Sequence, residues 1–168
     1  VGVVDGIRSV PLTGAIVERA EHLRHREAEG CTVPIDEEKV TWSRGAMAWW
    51  SPAPAVLCSR VEGHMTTIVP EVLIKAFVRV RDDAGGARVK TFHDWQQATG
   101  YGSDARQLYT SLSQPLMNDV DTIDALVQHR LLAMGIEVAR IALGTALRAT
   151  TDRAEFERRL NTAISATR

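Results

Sequence analysis

Apolar and polar positions alternate most regularly between residues 72 and 92. Ile74, Ala76, Val78 and Val80 interleave with Lys75, Phe77, Arg79 and Arg81. That period of two predicts a strand with one wet face. The stretch DDAGG supplies a turn and ARVKTF a return strand, so the segment reads as a β-hairpin. A helix starting at Pro70 competes, because Val72, Leu73, Ala76, Phe77 and Val80 also fit a 3.6-residue period; the hairpin is preferred. Upstream, residues 39–60 predict more strands. KVTW is short and β-branched, AMAWW continues a hairpin across Ser43–Gly45, and AVLCS is a short buried strand. Between them Pro52 and Pro54 cannot donate to a ladder.

Helical spacing governs the rest of the chain. Over residues 11–29 Pro11 starts a helix, Ile16, Ala20 and Leu23 recur along it, and Gly30 stops it. Residues 94–113 predict two short helices, DWQQA and SDARQLYTSLS, around the glycine turn TGYGS. The longest signal runs from 119 to 148. Ile123, Val127, Leu131, Met134, Val138 and Ile141 make one apolar stripe, and Leu126, Ile136, Leu143 and Leu147 a second. A helix apolar on two sides is buried between layers or by another chain. Near the end, Asp152 and Glu155 form a capping-box pattern ahead of Phe156, Leu160 and Ile164 at i, i+4 and i+8. The predicted fold is therefore α+β: an N-terminal helix, an antiparallel β-meander, then a helical C-terminal half with one long buried helix. One domain spans 1–168, β-rich over 39–92 and helical over 94–166.

Composition narrows the function classes. The 168 residues are 45% hydrophobic and 24% charged, with a formal net charge of −1. Such a balance builds no chain-wide attraction to nucleic acid or anionic lipid. No run of about 18 apolar residues predicts a membrane span. The N-terminus shows no basic-then-apolar leader. Cys31 and Cys58 form no CxxC and no disulfide framework, so a reducing, cytoplasmic setting is expected. The opening VGVVDGI already reads as structured and lacks a methionine, which favours a piece of something longer.

Five constellations carry candidate chemistry. Trp42, Trp49 and Trp50 are three of the four tryptophans. Tryptophan buries a large area with few rotors, which suits a core, an interface or a stacking platform. Residues 94–113 have the outline of a helix-turn-helix, with Arg106 on the second helix. Arg79, Arg81, Arg88 and Lys90 on the preceding hairpin would then reach phosphates. Gly102–Ser103 followed by Asp119 and Asp121 resembles nucleotidyltransferases of the polymerase-β type. The resemblance implies that Gly-Ser holds a triphosphate and Asp-x-Asp two metal ions. The same aspartates also read as the cap of the long helix. His22 and His25 sit at i, i+3 beside Glu18, Glu21 and Glu29, where His64 or His93 would have to complete a metal site. Last, Cys58 follows an apolar strand. The order of helix, meander and helices resembles ubiquitin-conjugating folds, whose reactive cysteine follows the meander; no cysteine follows Cys58 here. Walker-A and GxGxxG patterns are absent.

The expected function is a non-enzymatic subunit acting by protein–protein contact, self-associating or docked on another subunit. Trp42, Trp49 and Trp50 form one contact surface, and Met134, Val138 and Ile141 on the long helix form another. No metal and no cofactor is expected. The alternatives are a DNA-binding module at 94–113 and a metal-dependent nucleotidyltransferase-like enzyme using Asp119 and Asp121.

Overall fold

Strands β1 (Ile35–Trp42) and β2 (Gly45–Ala53) pair as the first hairpin, and β3 (Val56–Met65) pairs antiparallel to β2. The computed structural model describes residues 35–128 and 147–167, all within one compact unit, Thr32–Arg168. The predicted helix at 11–29, with His22 and His25, lies outside the described residues. So do Cys31, His129, Met134, Val138 and Ile141.

The antiparallel start follows the sequence. Trp42 faces Gly45 across the two-residue turn. Pro52 falls where the β2–β3 register shifts, between Trp50 and Ala53. At the other end of that pair Gly63 has φ +78°, and a Cβ there would meet the Arg44 carbonyl oxygen at 2.2 Å. Only glycine tolerates both demands.

Beyond β3 the architecture departs from the expected one. Helix α1 (Ile68–Asp83) leads to β4 (Val89–Tyr101), and helix α2 (Ser103–Ser113) with a 3-10 turn (Gln114–Asp119) leads to β5 (Val120–Val127). Strand β6 (Leu147–Thr150) and helix α3 (Arg153–Ser165) complete the described elements. The sheet order is β1-β2-β3-β4-β5-β6, and every pairing from β3 onward is parallel. The protein is thus a mixed six-stranded sheet with helices packed on it. It is not a meander followed by a helical half.

Three corrections share one physical cause. Residues 68–83 are a helix, and no hairpin forms at 72–92. The apolar set that packs is Val69, Leu73, Ala76, Phe77 and Val80, the 3.6-period reading of the same residues. Parallel neighbours need a crossover between them, which α1 supplies. Residues 94–101 belong to β4, so DWQQA is not a helix. Residues 120–127 are β5, buried along most of its length, and not the start of a long helix. A parallel strand covered on both faces loses its alternation. The spacing of Ile123 and Val127 places them on one face in either geometry, because four residues is both an even number and about one helical turn.

Both faces of the sheet are covered. On one, α1 and α2 pack over Met47, Trp49, Leu57, Val61, Val89, Ile123, Ala125 and Val127. Helices on one side are what successive right-handed crossovers in one direction produce. On the other, α3 lays Phe156, Leu160, Ala163 and Ile164 on Val56, Cys58, Phe92 and Leu126. Phe92 and Phe156 meet edge to face, 5.8 Å between centroids.

Helix α3 begins where the capping pattern predicts. The Glu155 amide donates to the Asp152 side chain at 3.2 Å. The reciprocal half of the box is replaced: the Glu155 carboxylate accepts from Thr150 Oγ1 at 3.2 Å. Asp152→Ala is expected to cost about 1 kcal/mol of stability, read as a lower urea midpoint at unchanged slope.

Candidate functional site

The parallel strands bring polar residues into the interior at two places, one on each face. On the α1–α2 face, Ser59 of β3 and His93 of β4 stand opposite each other in register. Ser59 Oγ and His93 Nδ1 share a buried hydrogen bond of 2.8 Å. Burial holds the imidazole neutral, its pKa pushed down to about 4. His93 stacks on Trp95 at 5.1 Å, and Trp95 meets Tyr109 of α2 edge to face at 6.5 Å. Beside them a cavity of about 30 Å³ opens between sheet and helices. Its polar lining is Thr91, His93, Tyr109 and Ser113, and the rest is aliphatic or aromatic.

The opposite face carries buried carboxylates. Asp94 of β4 accepts from Arg153 at 2.9 Å and lies 3.8 Å from Arg60. Asp124 of β5 accepts from Arg159 at 2.7 Å, its side chain only 5% exposed. These pairs pin α3 to the sheet. A buried carboxylate is tolerated when a guanidinium satisfies it, and is costly otherwise. Cys58 lies on the same face, opposite Phe92 in register, its thiol pushed up to about 12 by burial. A thiol so protonated is a poor nucleophile.

The sequence-derived candidates fall into different roles. Trp49 is buried at 4% exposure, with the Arg79 guanidinium over its ring at 5.5 Å. Arg79 also pairs with Glu38 of β1 at 2.7 Å. Trp42 is half-buried and donates its indole N–H to the His64 carbonyl at 2.8 Å. Trp50 points to the other face, half-buried, with Arg60 over it at 5.9 Å. The tryptophans are therefore split across the sheet.

The helix-turn-helix outline is not formed, because its first helix is part of β4. The cations assigned to DNA are spent within the fold. Arg81 pairs with Asp119 at 2.8 Å, Lys90 lies 3.8 Å from Asp121, and Arg88 caps the Val120 carbonyl. Two candidate sites thus neutralise each other, the basic wing against the paired aspartates. Arg106 sits exposed on α2. Among the described residues no group of three or more His, Cys, Asp or Glu side chains is placed to hold a metal ion. None of the described helices is long and apolar enough to cross a membrane.

Sequence reasoning missed the Ser59–His93 pair and both carboxylate–arginine anchors. Their signal was present as polar residues inside otherwise apolar strands, Asp94 and Asp124, and as arginines six apart on α3. Pairing them needs the sheet order.

The mixed six-stranded sheet with helices packed on it is a SpoIIAA-like α/β fold by its likeness to a solved structure. The chain is similar to a solved structure from Shewanella loihica PV-4, an uncharacterized protein of the DUF3478 family. The TM-score is 0.50 at 12% identity, over 79% of this chain and 98% of that one. At such identity the likeness shows the fold alone. No family model matches the sequence, and no curated protein matches it.

Proposed function

We propose that this protein is a non-enzymatic subunit that works by protein–protein contact, and that its partner is a second copy of itself. One observation carries the reading. Trp50 stays half-buried at the margin of the α3 cluster, with the exposed Arg60 guanidinium over its ring. Tryptophan and arginine are both enriched at interface hot spots.

Charge supports self-association. The strand positions around Trp50 carry both signs: Lys39 and Arg60 against Glu37 and Glu62, all exposed. A two-fold contact sets each residue against its counterpart's neighbours, so a mixed patch can pair with itself. The net charge of −1 adds little long-range repulsion between copies.

Light scattering on a sizing column across a concentration series tests the proposal. A dimer mass is expected for the unchanged protein. Trp50→Ala should weaken the dimer by about 2 kcal/mol, roughly thirty-fold in dissociation constant, with unchanged circular dichroism. The mass of a single chain at the highest soluble concentration would remove the reading.

A further inference from the structure

We propose that helix α2 and the 3-10 turn after it form an acid-released flap: protonation of His93 lifts the flap while the sheet stays folded. The flap is tied at its two ends. The Gly102 amide donates to the Met65 carbonyl at 3.3 Å, and Asp119 accepts from Arg81 of α1 at 2.8 Å. Between these ties little is held. Helix α2 buries only Ala105 and Ser113, and the turn buries none of its residues. Helix α1, over the same face of the sheet, buries six. Strands β3 and β5 are bonded to β4 on either side of His93.

His93 is 2% exposed, and no charged side chain among the described residues lies beside its ring. Ser59 bonds the ring directly. Otherwise β3, β5, α1 and the 3-10 turn bring only apolar side chains to the space next to it, and α2 brings Tyr109 and Ser113. Tyr109 stays neutral, its phenol pushed up to about 12 by burial. Asp94 and Asp124 lie on the other face, held by Arg153 and Arg159, and Asp119 at the end of the flap is held by Arg81. An imidazolium formed here would be desolvated with no counter-charge.

Water must therefore reach the ring before it can hold a proton. Lifting the flap breaks the fewest buried contacts, so the molecule opens there first. The opening also uncovers Trp95, stacked on His93 and edge-on to Tyr109. Its size follows from linkage. In the open form the imidazole titrates at the ordinary 6.5, and in the closed form at about 4. Above pH 6.5 both forms are neutral and acid has no hold on the flap. Between pH 7 and pH 5 the open form gains the proton and the closed form does not, so the opening constant rises about twenty-fold. The flap and Trp50 lie on opposite faces of the sheet, so either proposal survives failure of the other.

Amide hydrogen exchange on the full chain tests this, after correction for the intrinsic effect of pH on exchange. At pH 7 the amides of α2 should open at least about ten-fold more often than those of β4 around His93. From pH 7 to pH 5 the opening constant of the α2 amides should rise about twenty-fold. In His93→Gln, which cannot take up the proton, the rise should be under about two-fold. The proposal is overturned if α2 and β4 share one opening constant, because the whole protein then unfolds at once. It is overturned too if the α2 constant does not rise with acid. Both of these outcomes are read on the unchanged protein and do not depend on the variant folding. A folded His93→Gln protein with the same rise would overturn it equally.

Discussion

Arg159→Met should destabilise the fold by about 3 kcal/mol, because it strands the Asp124 carboxylate inside the sheet–helix interface. The Asp124 side chain is 5% exposed and the Arg159 side chain 26%, so the carboxylate cannot turn to water while the guanidinium can. Removing the buried partner is therefore expected to cost less than removing the exposed one. Asp124→Asn should be the milder single change. In the Arg159→Met background it should restore more than half of the loss, since the amide needs no counter-charge. Urea unfolding of the four proteins gives the coupling directly. A loss under about 1 kcal/mol for Arg159→Met would mean that Asp124 finds another partner, and α3 would then be held by its apolar contacts with Phe92 and Leu126.

Acid should weaken the protein through His93, and the sign follows from burial. The folded pKa of about 4 lies below the ordinary 6.5. Above pH 6.5 the imidazole is neutral in both states and its contribution is complete. Between pH 6.5 and about 4 the unfolded chain takes up a proton that the folded chain refuses. Stability then falls by about 1.4 kcal/mol per pH unit, roughly 3 kcal/mol across the window. Below that window both states carry the proton and this source of loss ends. His93→Gln keeps a polar partner for Ser59 without titrating. Subtracting its pH profile from that of the unchanged protein isolates the histidine from the carboxylates. Parallel profiles would show that His93 meets solvent in the folded state and that the Ser59 pair is not closed.

Some of this architecture was legible residue by residue. The β1–β2 hairpin announced itself through β-branched and aromatic residues around a short turn. The cap of α3 announced itself through Asp152 and Glu155, three residues apart. Helix α2 was placed correctly from SDARQLYTSLS. Each of these depends on neighbours within a few positions. Trp42, Trp49 and Trp50 read from the sequence as one surface, but the sheet separates them. Trp49 went beneath Arg79, and Trp42 spent its donor on the His64 carbonyl.

The sequence by itself determined the short-range features: turns at glycine and proline, the cap at Asp152, the amphipathic face of α3 and the near-neutral charge. Only the tertiary structure decided that residues 120–127 are a strand, that 68–83 are a helix, and that Ser59 meets His93. The reason is burial on both faces. A parallel strand covered by helices on each side has no wet face to leave a period of two, and its apolar run matches a buried helix equally well. A polar residue in such a strand looks misplaced until its partner arrives from a neighbouring strand or from α3. That partner is fixed by sheet order, which no local pattern encodes.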